Sequence, residues 1–144
     1  MFQSCTINKA MEKVIVEVLY SGKNFGAHAP ILPGCVATGS TLEEVKRNIR
    51  DAIEFHVESS LEDNDPIPDV FKGEYELEYK LSPEALLNAY SNIFTKAALS
   101  RITGINERQL WHYAAGVRKP RAEQKRKIEE GLHHLADELR AIAL

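Results

Sequence analysis

The first half of the chain alternates between apolar and polar positions. In residues 13–20 this alternation predicts a strand with three valines on one face, Val14, Val16 and Val18. The opposite face is also largely apolar, which predicts cover on both sides of the strand. Runs at 25–29, 35–38 and 74–81, separated by turn residues, predict three further strands. Residues 1–12 show no clear period, and we expect a loose arm or an edge strand there.

Helical spacing replaces this alternation between the third and fourth predicted strands. Ser40 and Glu43 predict a capping box at the start of a helix. Its apolar stripe recurs every three or four positions and consists of Leu42, Val45, Ile49, Ala52, Ile53, His56 and Val57. The segment SLEDNDPIPD ends the helix. The order β-β-β-α-β predicts an α+β domain over residues 1–81.

Residues 82–144 predict a second domain that is helical throughout. Ser82 and Pro83 begin a helix, which Leu86, Leu87, Tyr90 and Ile93 build at helical spacing. Thr95 can cap the next helix, Gly104 can end it in a left-handed conformation, and Asn106 can cap another. A helix, a tight turn and a second helix are how small domains place one helix in the DNA major groove.

Charge supports a nucleic-acid partner for this second domain. Residues 96–127 carry nine basic and two acidic side chains, a net charge of +7. Residues 1–90 carry eight basic and fifteen acidic side chains, a net charge of −7, so the whole-chain value of −3 conceals two halves of opposite sign. Phosphate contacts supply most non-specific DNA affinity, and local charge therefore matters more than the total. The candidate DNA-binding residues are Thr95, Lys96, Asn106, Glu107, Arg108, Gln109, Trp111, His112, Arg118, Lys119 and Arg121.

Three local motifs in this segment resemble the helix-turn-helix of the Xre/Cro phage-repressor family. They are the small residues Ala97, Ala98 and Leu99, the Thr-Gly-Ile turn at 103–105, and the exit Gly-Val-Arg-Lys-Pro at 116–120. The resemblance covers roughly fifty residues. It implies base contacts from Glu107, Arg108 and His112.

The first domain is similar to the HicB antitoxin family. The shared motifs are LPGC at 32–35, GSTLEE at 39–44 and the DxxPIP pattern at 63–68, over about residues 13–80. The resemblance implies a partial ribonuclease-H-like fold that binds HicA-like toxins, which are small basic ribonucleases with a catalytic histidine. Ile31 departs from the family, in which many members carry an acidic residue, and this departure bears on partner recognition.

No catalytic, metal or cofactor site is predicted. Nuclease chemistry needs carboxylates that converge on metal ions, and Glu17 with Glu44 or Asp51 does not form the set of the active enzymes. The histidines lack catalytic partners, and adjacent His133 and His134 point in different directions on a helix.

The remaining features concern assembly and compartment. Ile128, Leu132, Leu135, Leu139 and Ile142 are spaced 4, 3, 4, 3, and we expect the last three to form a dimer contact. Cys5 and Cys35 lack metal-ligand spacing, which favours reduced thiols in a cytoplasmic protein. The N-terminus lacks signal-peptide features, and no apolar run is long enough to cross a membrane.

Together, the two resemblances imply an antitoxin that neutralises a HicA-like ribonuclease toxin and represses its own operon by binding operator DNA, and we expect it to act as a homodimer or higher homo-oligomer. Three other classes remain open. They are a stand-alone transcriptional regulator with a sensing domain, a metal-dependent nuclease, and an interaction module that does not bind DNA.

Overall fold

The computed structural model describes residues 11–144, which form a mixed α+β structure. Its strands are β1 (Glu12–Tyr20), β2 (Phe25–His28), β3 (Val36–Gly39) and β4 (Tyr75–Leu81). Its α-helices are α1 (Leu42–Glu62), α2 (Pro83–Ala89), α3 (Lys96–Thr103), α4 (Glu107–Ala114) and α5 (Ala122–Arg140). A short 3-10 helix at Asp69–Lys72, which the sequence did not predict, precedes β4. Residues 1–10 of the predicted arm at 1–12 lie outside the described residues, whereas Met11 is exposed and Glu12 is the first residue of β1.

The four strands form one sheet in the order β3-β2-β1-β4. Strand β2 pairs antiparallel with both β1 and β3, whereas β4 pairs parallel with β1. A parallel pair needs a crossover connection, and α1 provides it. In the register of this pair Val14 lies opposite Leu77 and Val18 opposite Leu81, so these residues share the sheet face that α1 covers.

The predicted stripe of α1 forms the core against this face. Val45, Ile49, Ile53 and Val57 are buried. The predicted capping box of Ser40 and Glu43 is wrong by one position, because Thr41 Oγ1 accepts a hydrogen bond from the Glu44 amide at 3.1 Å. The Ser40 hydroxyl donates to Glu44 Oε2 at 2.7 Å and holds the pKa of that carboxyl below its ordinary value.

The other face of the sheet is largely open among the described residues, so the predicted cover on this side stays a prediction. Ile15 is 48% exposed and Leu19 is 52% exposed. Both side chains line a wide groove of about 1190 Å³ whose opposite wall includes Leu135 and Leu139 of α5. A period-two pattern identifies two apolar faces, but it does not show that something covers each of them.

Helix α2 joins the sheet to the helices that follow. Ser82 Oγ accepts from the Ala85 amide at 3.1 Å, which confirms the predicted helix start. Ala85 is buried in the core beneath the sheet, whereas Leu87 is buried in a second core with Leu99, Ile105, Leu110, Tyr113 and Ile128. The prediction that Ile93 belongs to this helix is wrong, because α2 ends at Ala89 and Ile93 is exposed.

Candidate nucleic-acid interface

Helices α3 and α4 meet at a turn whose ends are capped as the sequence predicts. Thr95 Oγ1 accepts from the Ala98 amide at 3.0 Å. Gly104 is left-handed at φ 74°, and its amide donates to Ser100 O at 2.8 Å. Asn106 accepts from the Arg108 amide at 2.8 Å. These caps end α3 and begin α4 within three residues, which fixes the angle between the two helices.

The turn is also held from inside the core. The Ser100 hydroxyl donates to Ile105 O at 2.6 Å, and the Ile105 amide donates to Thr103 Oγ1 at 3.2 Å. On α4, Leu110 and Tyr113 are buried, as the helical spacing predicts. The turn and the inner face of α4 thus determine which side chains the helix presents outward.

That outer face carries most of the predicted base-contacting residues. Glu107 and Arg108 are exposed, and Trp111 is 57% exposed. Gln109 and His112 are half-buried, and the Gln109 amide donates to Tyr113 Oη at 3.0 Å. The five residues therefore lie together on α4, and the Gln109 side chain already forms a hydrogen bond within that helix.

Lys96 takes an unexpected position for a residue predicted to contact phosphate. It is only 7% exposed, and its Nζ lies 4.8 Å from the centroid of the Trp111 ring. An ammonium group over an indole face is attracted by the ring quadrupole. Lys96 thus supports the exposed indole of α4 from the start of α3.

The loop after α4 presents the remaining predicted cations. Arg118, Lys119 and Arg121 are exposed. Gly116 is left-handed at φ 74°, and the Asn88 side-chain amide donates to Ala114 O at 2.8 Å, so α2 anchors the end of α4. The loop therefore leaves α4 from a fixed point, beside the outer face.

An open concavity of about 500 Å³ lies beside α4, and sequence reasoning did not find it. Its lining includes Arg108 and His112 of α4, Arg118 of the exit loop, and Gln124 and Lys127 of α5. Lys127 belongs to the positively charged stretch of residues 96–127. Only the packing of α5 across α3 places it next to α4. No local pattern in the sequence could have shown this neighbourhood.

The carboxylates considered for nuclease chemistry do not converge. Glu17 lies on the sheet face opposite α1 and is 3.1 Å from His28 Nε2. Glu44 lies on α1 and accepts from Ser40. In residues 11–144 no three His, Cys, Asp or Glu side chains lie close enough together to hold a metal ion.

The other predicted features are distributed along the fold. Leu135 is half-buried, whereas Leu139 and Ile142 are exposed. Cys35 is a free buried cysteine whose pKa is raised by burial, and Cys5 lies outside the described residues. Of the helices in residues 11–144, none combines the length and the apolar character that a bilayer span requires.

Among the comparisons with known proteins, the family match falls on the segment that contains β1, β2, β3 and α1. Residues 6–68 match the family model described as UPF0150-like. A 14.9 kDa protein from the rep-hol intergenic region of Haemophilus phage HP1 is 46% identical over 39 residues, which are 27% of this chain and 29% of that protein. A UPF0150 protein of Synechocystis is 41% identical over 44 residues, which are 31% of this chain and 56% of that protein. The matched segments thus span less than two thirds of either relative. No solved structure matches the chain.

Proposed function

We propose that this protein is the antitoxin of a type II toxin–antitoxin system. In this proposal the sheet portion, residues 1–81, binds a HicA-like ribonuclease toxin. A helix-turn-helix within residues 82–144 binds operator DNA. The observation that carries the proposal is the UPF0150-like match over residues 6–68, because that family is associated with HicB-like antitoxins. In this proposal the sheet portion has the partial ribonuclease-H-like fold of HicB proteins, and the protein has no enzymatic activity of its own.

The geometry of α3 and α4 supports the DNA-binding part of the proposal. Helix α4 presents Glu107, Arg108 and Trp111 outward, half-buried His112 lines the concavity beside them, and a loop with three exposed cations follows the helix. This arrangement suits base readout from the helix and phosphate contact from the loop. A partner of the opposite charge is also consistent with the +7 charge of residues 96–127.

The outer face of α1 supports a basic protein partner. Phe55 is 73% exposed, and four exposed carboxylates, Asp51, Glu54, Glu58 and Glu62, lie within seven positions of it on the same helix. An exposed aromatic near several carboxylates combines an apolar anchor with electrostatic steering toward a basic surface. An RNA-binding toxin surface would provide the complementary charge.

The DNA-binding part is tested with Arg108→Ala in a gel-shift competition between the promoter region of the gene and unrelated DNA. One bidentate arginine–guanine contact contributes about 1–3 kcal/mol of discrimination. The specific-to-non-specific affinity ratio should therefore fall by about tenfold or more. Arg101→Ala, which removes an exposed arginine of α3, is the matched control. If Arg108→Ala keeps the selectivity of the wild-type protein for the promoter DNA, Arg108 does not contact a base.

The toxin-binding part is tested by co-purification with the product of the adjacent reading frame, which should encode a small basic protein with one central histidine. Phe55→Ser should weaken this complex at least tenfold by removing the apolar anchor. Leu61→Ser changes another exposed apolar residue of α1 and should have little effect. If no toxin gene adjoins this gene, the antitoxin proposal fails and DNA binding stands alone.

A stand-alone transcriptional regulator is the second candidate. It is favoured by the apolar groove between the open sheet face and α5, because a groove next to a DNA-binding unit could hold a sensed ligand. The adjacent reading frame distinguishes the two candidates.

A further inference from the structure

We propose that the concavity beside α4 is a phosphate-binding pocket in which Lys127 and Arg118 are the main cationic contacts. This open cavity of about 500 Å³ is bordered by the α3–α4 turn, one side of α4, the exit loop and the first half of α5. Phosphate in this pocket could belong to the DNA backbone or to a free phosphate compound. Only the first of these sources rests on the proposed DNA binding.

The charge of the lining indicates an anion. Arg108, Arg118 and Lys127 all line the cavity, and its lining includes no aspartate or glutamate. Among residues 11–144 none of these three cations forms an ion pair. Three unneutralised cations around one concavity repel one another, and an anion between them would relieve that repulsion.

The neutral lining supplies hydrogen-bond donors for the same ligand. The Gln124 side-chain amide has no hydrogen-bond partner among the described residues and is free to donate. His112 Nδ1 is buried and also has no partner in that part of the chain. Rotation of the imidazole toward the cavity would let Nδ1–H donate to a phosphate oxygen.

The donor set favours phosphate over a carboxylate. Two guanidinium groups offer planar forks of N–H donors that match phosphate oxygens, and a lysine adds a point charge. A single carboxylate has two oxygens and one charge, whereas phosphate has more acceptors for the lysine, the arginines and the neutral amides. Phosphate is therefore the chemistry that uses the whole lining.

Arg108 is a poor probe of the pocket because it could contact either a base edge or a phosphate. Lys127→Gln is a clean probe, since Lys127 lines the cavity but does not belong to the outer face of α4. Lys125→Gln is the matched control, because Lys125 lies on the same helix and lines the groove next to the sheet instead. Arg118→Gln, in an exposed loop, is a second probe if Lys127→Gln does not fold.

The first arm measures the affinity of the full-length protein for a non-specific DNA duplex at several salt concentrations. Each phosphate contact contributes about 0.9 to the slope of log affinity against log salt. Lys127→Gln should reduce the steepness by about that amount, and Lys125→Gln should not. The second arm follows the His112 ring by NMR during titration with inorganic phosphate, with chloride at matched ionic strength as the reference. A saturable shift that is lost in Lys127→Gln is expected.

The two arms distinguish DNA phosphate from a free phosphate compound. They also distinguish a failure of the proposed DNA binding from a failure of the proposed pocket. A reduced slope assigns the pocket to the DNA backbone, whereas an inorganic phosphate shift with an unchanged slope assigns it to a free phosphate compound. If the wild-type protein binds no DNA but phosphate shifts His112, the proposed DNA binding fails and the pocket stands. An unchanged slope together with no phosphate-dependent shift, in a folded variant, overturns the pocket.

Discussion

The contact between Lys96 and Trp111 links the two helices of the candidate DNA-binding surface through single side chains. Trp111 is the one tryptophan of the chain, so its fluorescence reports on this contact alone. Replacing Lys96 by Met keeps the apolar stem and removes the ammonium group that lies over the ring. We expect the indole to become more accessible to acrylamide. The free energy of unfolding should fall by about 0.5–2 kcal/mol, a range between exposed and desolvated cation–π pairs, because Lys96 is buried whereas Trp111 is exposed.

Lys119→Met is the control for this experiment, because Lys119 is exposed and lies in the exit loop. It should change neither quenching nor stability. If acrylamide quenches Trp111 fluorescence equally in Lys96→Met and in the wild-type protein, the Lys96 ammonium does not shield the indole ring in solution.

At the scale of residues, the sequence predicts local contacts well and distant ones poorly. The caps at Ser82, Thr95 and Asn106 depend on partners two or three positions away, and the structure contains all three. The cap of α1 is at Thr41 instead of Ser40 because two adjacent hydroxyl residues offer two registers. The burial of Lys96 depends on how α3 meets α4, and no nearby residue signals it.

At the scale of elements, Gly131 sets how closely α5 crosses α3. A Cβ at this position would lie 2.6 Å from the carbonyl oxygen of Ile102. Alanine favours a helix by about 1 kcal/mol over glycine, but here it would press on backbone, and overpacking typically costs about 1–3 kcal/mol. We therefore expect Gly131→Ala to lower the free energy of unfolding, measured by urea denaturation.

His133→Ala, an exposed substitution on the same helix, should stay within about 0.5 kcal/mol of the wild-type protein. A more stable Gly131→Ala would mean that α5 can move away from α3 at little cost.

Periodicity predicts the long elements of this fold and misjudges the short ones. The stripe of α1 and the valine face of β1 are confirmed because each repeats several times. Helix α2 has only seven residues, and its extension to Ile93 is wrong because one apolar residue at the right spacing is weak support. The concavity beside α4 combines residues of four elements, so only the assembled fold shows it.

At the scale of the whole molecule, the exposed apolar residues of α5 bear on assembly. Leu139 is 57% exposed and Leu135 is half-buried, and a protein that reads a two-fold operator requires a dimer of fixed geometry. We propose that these residues form a dimer contact, and in that case the double substitution Leu135→Glu, Leu139→Glu should reduce the mass from that of a dimer to that of a monomer by burying charge at the contact. Sedimentation equilibrium measures the mass, and circular dichroism checks the fold.

His134→Glu adds a charge at an exposed position of the same helix and should leave the dimer intact. If the folded double variant keeps the dimer mass, the dimer contact does not involve these residues of α5 and must lie elsewhere, for example at an exposed edge of the sheet.

Helix α2 has a consequence for how the chain can be cut. The predicted division at residue 81 falls where a protease would be expected to separate two domains. However, the Ser82 amide donates to Val18 O at 2.9 Å, and the helix that follows contributes Ala85 to one core and Leu87 to the other. Its amides should exchange with solvent water only when both cores open. The first proteolytic cut should therefore come later, in the exposed segment around Ile93, and should leave α2 attached to the sheet.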